Sequence, residues 1–251
     1  MQDHTERRRL QRERAFFEER AAAGIEQSWA EGTPVAALRR QRRAGMLLAA
    51  AQLPDAARAL VLDVGCGLAS YTIPFALGTE ATVVGADLTP ALLLRARDRV
   101  PRNVRLLAAD AGRLPFHDGA FDAVVGNAIL HHLPLNQVVP ELLRILRPGG
   151  PFCFAEPNLL NPHLLIALNV PGLRRLLGGT PDETAFVRWR LKRDLERFGL
   201  VGVSVRPFDF LYPLTPRAMI PVVDRVGRVL ERVPVLREIA GSLLISARKP
   251  A

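Results

Sequence analysis

The stretch Val61-Leu62-Asp63-Val64-Gly65-Cys66-Gly67 is an apolar run that breaks on two glycines. Such a run reads as a strand covered on both faces, as strands of parallel sheets are. The glycines let the backbone turn tightly and approach a ligand with no Cβ in the way. A helix opening at about Ser70 would add free N–H groups beside that turn. Alone, the strand, loop and helix say only that a nucleotide-like ligand is bound. A dinucleotide fingerprint would carry a third glycine where Ser70 stands, which weakens a reading as an NAD site.

Outward from this core, apolar strands alternate with helices. Strands are expected at Ala59–Val64, Ala81–Ala86, Val104–Ala109, Phe121–Gly126, Phe152–Ala155, Val201–Phe210 and Leu243–Arg248. Helices are expected from about Ser70 to Leu77, from Thr89 as N-cap through Pro90 to about Val100, and from Asn136 to Leu146. Thr180-Pro181-Asp182-Glu183 has the form of a capping box and opens a helix to about Phe198, ended by Gly199. This alternation predicts an α/β fold, a doubly wound, mostly parallel seven-stranded sheet with helices on both faces. Ligands bind such sheets beyond the carboxyl ends of the strands. Residues 1–53 read as an N-terminal helical cap, with helices to about Ala23 and from Pro34 to Leu53. Residues 54–251 read as the ligand-binding domain.

The chain has 251 residues, 49% hydrophobic and 24% charged, enough to bury a large core and too apolar for disorder. Cys66 and Cys153 cannot frame a disulfide scaffold and lie in apolar runs, which points to a reducing, cytoplasmic setting. No apolar stretch is long enough to span a bilayer, and residues 1–20 lack the apolar core of a secretory signal. The net charge is +9, yet the arginines are interleaved with acids, as in Arg12-Glu13-Arg14. A nucleic-acid binder concentrates its cations in a stripe with aromatics, so nucleic acid is not the expected partner.

Asp87 closes the second strand, 22 residues after Gly65. A carboxylate there can accept both hydroxyls of a ribose. Asp110 closes the third strand, where it can accept from an adenine amino group. Phe121-Asp122-Ala123-Val124-Val125-Gly126-Asn127, Ile129-Leu130-His131-His132-Leu133 and Arg147-Pro148-Gly149-Gly150 follow in order. Together these residues resemble the class I S-adenosylmethionine-dependent methyltransferases, in particular the small-molecule group that includes quinone-biosynthesis enzymes. The resemblance is close over roughly residues 55–156. It implies a Rossmann-like sheet with the seventh strand antiparallel between the fifth and sixth. It implies S-adenosylmethionine as cofactor, with Asp63, Gly65, Cys66 and Gly67 around the methionine part. Asp87 would hold the ribose, Leu88 would lie on the adenine, Asp110 and Ala111 would meet the adenine edge, and Asn127 would contact the methionine end. Asp87 and Asp110 as simple helix caps, and Asp63 as an acceptor for loop amides, are the plain alternatives.

Methyl transfer from a sulfonium needs mainly alignment, which can supply roughly 7–11 kcal/mol. A hydroxyl acceptor must also lose a proton. His131 and His132 are candidate bases, and Glu156 is a candidate base or substrate contact. Adjacent residues on a helix diverge by about 100°, so one histidine at most faces a substrate. No third ligand accompanies the pair, so no metal is expected. Insertions at about 158–179 and 211–241 leave the carboxyl edge of the sheet. The second spaces Met219, Val222, Val223, Val226, Val229, Leu230 and Val233 helically, with Arg225, Arg228 and Arg232 between them. It reads as a lid packed on the domain, or as a basic amphipathic surface for a lipid-linked substrate at a membrane. The expectation is a methyltransferase for a small, apolar or lipid-linked molecule, with O-methylation first and C-methylation of a quinone-like ring second. The rivals are a non-catalytic adenosyl-ligand-binding protein and an NAD-linked oxidoreductase. Oligomeric state is open.

Overall fold

The computed structural model describes residues 12, 15–23, 32–53, 55–170, 184–212 and 214–251. Seven strands form one sheet: β1 (Leu60–Val64), β2 (Thr82–Asp87), β3 (Val104–Ala108), β4 (Ala123–Asn127), β5 (Pro151–Pro157), β6 (Val201–Phe208) and β7 (Ser242–Arg248). Their spatial order is β3-β2-β1-β4-β5-β7-β6. The pairs β1–β2, β1–β4, β2–β3 and β4–β5 are parallel, whereas β7 runs antiparallel to β5 and β6. The chain leaves β1 toward one edge and returns at β4 toward the other. That reversal places the ligand crevice at the carboxyl ends of β1 and β4.

Strand periodicity divides the core into two layers. Leu62, Val64, Val124, Phe152, Phe154, Leu243 and Ile245 face one side, under α4 (Leu135–Ile145) and α6 (Arg188–Arg197). Val61, Ala123, Val125, Cys153 and Ala155 face the other, under α1 (Pro34–Ala51) and α2 (Thr72–Leu77). Gly126 is required by packing, since a Cβ there would stand 2.5 Å from Cε1 of the buried Phe154.

Helix α1 begins where its sequence says it should. The Thr33 hydroxyl accepts from Ala36 N at 3.1 Å, and Pro34 takes the first position. It buries Ala44 and Leu47 against the sheet and, among them, the cation Arg43. Residues 15–22 form a shorter helix.

Several boundaries differ from the sequence expectation. α2 starts at Thr72 rather than Ser70, because residues 65–71 are spent on the loop. α3 (Pro90–Ala96) stops short of Val100. Thr89 stands at its N-cap without a side-chain cap bond; its own N–H instead donates to Asp87 Oδ1 at 2.8 Å. The capping box at 180–183 lies outside the described residues. Helix α6 begins only at Arg188, because Phe186 pairs with Asn158 in an isolated bridge first. The insertion after β5 contains α5 (Pro162–Asn169). The insertion after β6 contains α7 (Ile220–Leu230), with 3-10 turns at Arg217–Met219 and Leu236–Ile239. Among the described residues, no helix is long and apolar enough to cross a membrane.

Candidate active site

The glycine loop closes back onto β2. Gly65 N and Cys66 N both donate to Ala86 O, at 2.8 and 3.2 Å. Gly65 has φ +68, and a Cβ there would lie 2.4 Å from Ile129 Cδ1, so the position admits glycine on two counts. Ala69 and Ala128 also adopt positive φ, at 59° and 52°. Backbone held this way in non-glycine residues costs energy and gathers at functional sites.

Asp87 ties the loop to the next helix. Its Oδ2 accepts from Gly67 N at 2.8 Å and its Oδ1 from Thr89 N. Burial raises its pKa, and the two amides oppose the rise. The Thr89 side chain bonds it too, and a carboxylate has about four acceptor positions, so capacity remains for a ligand hydroxyl. Asp110 is exposed, and its Oδ1 accepts from Gly112 N at 2.8 Å. Gly65, Asp87, Leu88, Asp110, Ala111 and His132 all line one pocket. Phe17, Thr89, Ile129 and Leu133 line it as well, and the sequence reading gave none of them a ligand contact. Phe17 meets His132 edge-on, with ring centroids 6.0 Å apart.

Asp63, Cys66, Gly67, Asn127, His131 and Glu156 stand behind that surface. Asp63 accepts from the Thr72 hydroxyl at 2.6 Å. Burial, with the Asp87 charge adding to it, pushes its pKa up to about 7 against the pull of Thr72. The Cys66 sulfur packs where a Cβ on Gly85 would be, 2.9 Å away. Burial and the charges of Asp63 and Asp87 hold the thiol well above its ordinary value, which leaves it a poor nucleophile. Asn127 Oδ1 accepts from Arg43 Nη1 at 3.2 Å.

Glu156 is fully buried. Its Oε1 accepts from Ile129 N at 3.0 Å and Leu130 N at 2.9 Å, and its Oε2 from His131 N at 3.4 Å. Oε2 also meets His131 Nδ1 at 2.7 Å. The carboxylate therefore pins the turn after β4 and orients one imidazole. His131 is buried, whereas His132 fronts the pocket, and the two rings lie 3.9 Å apart. The two sit on a 3-10 turn, Leu130–His132, and of the pair His132 lines the pocket. Among the described residues, no group of three acidic, histidine or cysteine side chains is placed to hold a metal.

A second cluster was invisible to the sequence reading. Arg43 donates through Nη2 to Asp209 Oδ2 at 3.0 Å and to the Ser242 hydroxyl. Arg39 Nε donates to the same Asp209 oxygen at 2.7 Å. Burial works against charge on Arg43, yet Tyr71, Asp209 and Glu156 together raise its pKa. Burial likewise pushes Asp209 up, and the Arg39 and Arg43 charges outweigh it and bring the carboxyl below its ordinary value.

The pocket offers a glycine turn that a ligand can approach closely, the Asp87 carboxylate and, at its far side, the Asp110 carboxylate, walled by Leu88 and Phe17. That donor and acceptor set fits an adenosyl ligand. Residues 61–150 match the family model described as a methyltransferase domain. That match spans β1 to β4 and the whole pocket wall between them. The chain is 38% identical over 109 residues to the demethylmenaquinone methyltransferase of Listeria welshimeri, covering 39% of this chain and 46% of that protein. It is 32% identical over 162 residues to the 2-methyl-6-phytyl-1,4-hydroquinone methyltransferase of Synechocystis sp., covering 62% of this chain and 51% of that one. The chain thus spans about half the length of these curated relatives. Its fold matches a putative methyltransferase solved with the Trm112 activator of Haloferax volcanii, with a TM-score of 0.64 and 21% identity over 94% of this chain and 98% of that one.

Proposed function

We propose that the protein transfers the methyl group of S-adenosylmethionine to a hydroxyl of a small apolar acceptor. The observation that carries the reading is the convergence of Gly65, Asp87 and Asp110 on one pocket at the switch point of the sheet. When bound, the cofactor supplies a methyl group already activated on a sulfonium. The chain's task is to hold and orient. Asp87 and Asp110 would fix the adenosine end, and the loop at 65–67 would fix the methionine end. Leu88, Phe17 and Leu133 exclude water around them. The apolar residues of both insertions support an apolar acceptor.

The acceptor's proton needs a destination. Glu156 holds His131 through Nδ1 behind the pocket, and the His131 ring packs 3.9 Å from that of His132. The reading assigns the proton to His132, which fronts the pocket, and gives the buried His131 the role of backing it.

A second reading is C-methylation of a quinone-like ring. The names of the Listeria and Synechocystis relatives support it. Both readings start from a hydroxyl whose loss of a proton makes the oxygen, or a ring carbon, nucleophilic. The test is turnover of methyl-labelled cofactor with naphthohydroquinones bearing and lacking an alkyl tail. A labelled ether supports the first reading and a labelled ring carbon the second. Binding of S-adenosylhomocysteine without turnover on any acceptor would instead make the chain a non-catalytic adenosyl-binding protein.

A further inference from the structure

Helix α7 has two apolar faces. Val223, Gly227 and Leu230 are spaced for the inner one, and Gly227 packs so closely that a Cβ would stand 3.0 Å from Phe210 Cβ. The outer face carries Val222, Val226 and Val229, spaced for one stripe, at 52%, 51% and 55% exposure. A helix with its inner face already packed normally turns polar residues outward. Single exposed valines need no explanation, but an aligned stripe does. Met219 precedes it, and Val235, Leu236 and Ile239, all exposed, follow it.

The charges of this insertion are sorted. Asp224 pairs with Arg228 at 2.8 Å, Glu231 with Arg42 at 2.5 Å and Glu238 with Arg188 at 2.6 Å. Two of these acids are thus turned toward cations of α1 and α6. Arg217, Arg225 and Arg232 are exposed, beside or among the valines. The surface is apolar with a cationic surplus.

We propose that the outer face of α7 docks this protein on an anionic lipid bilayer. The valines enter the headgroup–acyl boundary, and the arginines meet lipid phosphates and carboxylates. A second copy of the chain is a poorer occupant, because a two-fold contact would set this arginine surplus against itself. The insertion leaves the carboxyl end of β6 and returns at Ser242, so docking brings the pocket's edge of the sheet to the lipid–water boundary. α5 is tied to the same segment: Asn161 Nδ2 donates to Ile239 O at 2.8 Å, and His163 bonds Tyr212. Its Leu165 and Ile166 are exposed too.

The test is co-sedimentation of the full chain with vesicles of phosphatidylcholine alone or mixed with phosphatidylserine. Partition is expected onto the mixed vesicles and to fall steeply with salt. Arg217→Gln, Arg225→Gln and Arg232→Gln together should weaken it about a hundredfold, at about fivefold per arginine. Val222→Asn, Val226→Asn and Val229→Asn together should weaken it at least about tenfold. These side chains are exposed, and unchanged melting of both variants verifies the fold. Absence of partition onto mixed vesicles overturns the proposal, as does partition indifferent to the valine variant. A concentration-dependent dimer lost in the valine variant, without vesicle binding, also overturns it and gives the face to a second copy. S-Adenosylhomocysteine titration in parallel keeps the two readings apart: binding without docking sinks only the docking, and docking without binding sinks only the methyltransferase reading.

Discussion

Asp63 should be costly to the unliganded fold, and Asp63→Asn should show it. The side chain is buried, and its pKa rises from the ordinary 3.8 to about 7. The sign follows from which state holds the proton. Below the unfolded value both states are protonated and no difference exists. Between the two values the unfolded chain ionises first, so the fold loses stability as pH rises. Above about 7 both are ionised and the loss is complete. At ~1.36 kcal/mol per pH unit, the full loss is about 4 kcal/mol. Asparagine keeps an oxygen for the Thr72 hydroxyl, which donates to Asp63 at 2.6 Å, and removes the charge. The variant should therefore melt roughly 8–16 °C above wild type at about pH 8. The gain should shrink steadily as pH falls toward the unfolded value. S-Adenosylmethionine, with its positive sulfonium and ammonium groups, should bind the variant at least about tenfold more weakly. Calorimetric melts across this pH range, with and without ligand, check both. A gain independent of pH, or a variant less stable than wild type at about pH 8, would refute the reasoning.

Three further outcomes follow from the same geometry. Asp87→Ala removes the acceptor of Gly67 N and Thr89 N and the proposed ribose contact; at about 1.5–3 kcal/mol per bond to a charged group, titration should show adenosyl affinity down about a hundredfold or more. Gly126→Ala puts a Cβ 2.5 Å from a Phe154 ring carbon and should cost about 1–3 kcal/mol in denaturant unfolding, with an unchanged slope. Arg43→Met leaves the buried Asp209 carboxylate with Arg39 alone and should cost about 3–5 kcal/mol. Most of that loss should return in the double variant with Asp209→Asn, and a double variant no better than the single would refute the pairing.

What was legible in the sequence is what local chemistry dictates. Apolar runs leading to Asp87 and Asp110 announced β2 and β3, whose carboxyl ends reach the pocket. The glycine at 65 announced a turn that no side chain could make. Boundaries were less legible where tertiary contacts set them. Phe121 was expected in β4, yet its N–H donates to Ile145 O and its carbonyl accepts from Arg147 N, so it closes helix α4 instead. Thr89 was expected to cap α3, yet its side chain bonds the Asp87 carboxylate and not the first turn of the helix. Phe17 left no signal, because an aromatic in a charged N-terminal helix has no visible partner until the fold brings His132 to it.

Arg43 was the hardest residue to find, and the reason is physical. Its partners Asn127, Asp209 and Ser242 lie 84, 166 and 199 residues away. No local pattern marks one arginine among several on α1. A buried ion pair is weak evidence for stability, since an apolar replacement of both partners often does as well. What the cluster supplies is position. Arg43 joins α1 to the ends of β4 and β6 and the start of β7, while Arg42 reaches Glu231, just past the end of α7, whose Oε1 also accepts from Asp209 N at 2.8 Å. Asp209 itself adopts φ 76°, a conformation that these contacts hold in place. The helix before the sheet and the insertion after β6 are thereby fastened to each other and to Asn127 beside the pocket. Placement of the proposed lipid-facing surface and placement of the proposed methyl-donor site then depend on one buried cation. The proposed adenosine half of the site lies in loops of adjacent strands and is local in sequence. The acceptor half is not, because it is assembled by contacts between the two ends of the chain.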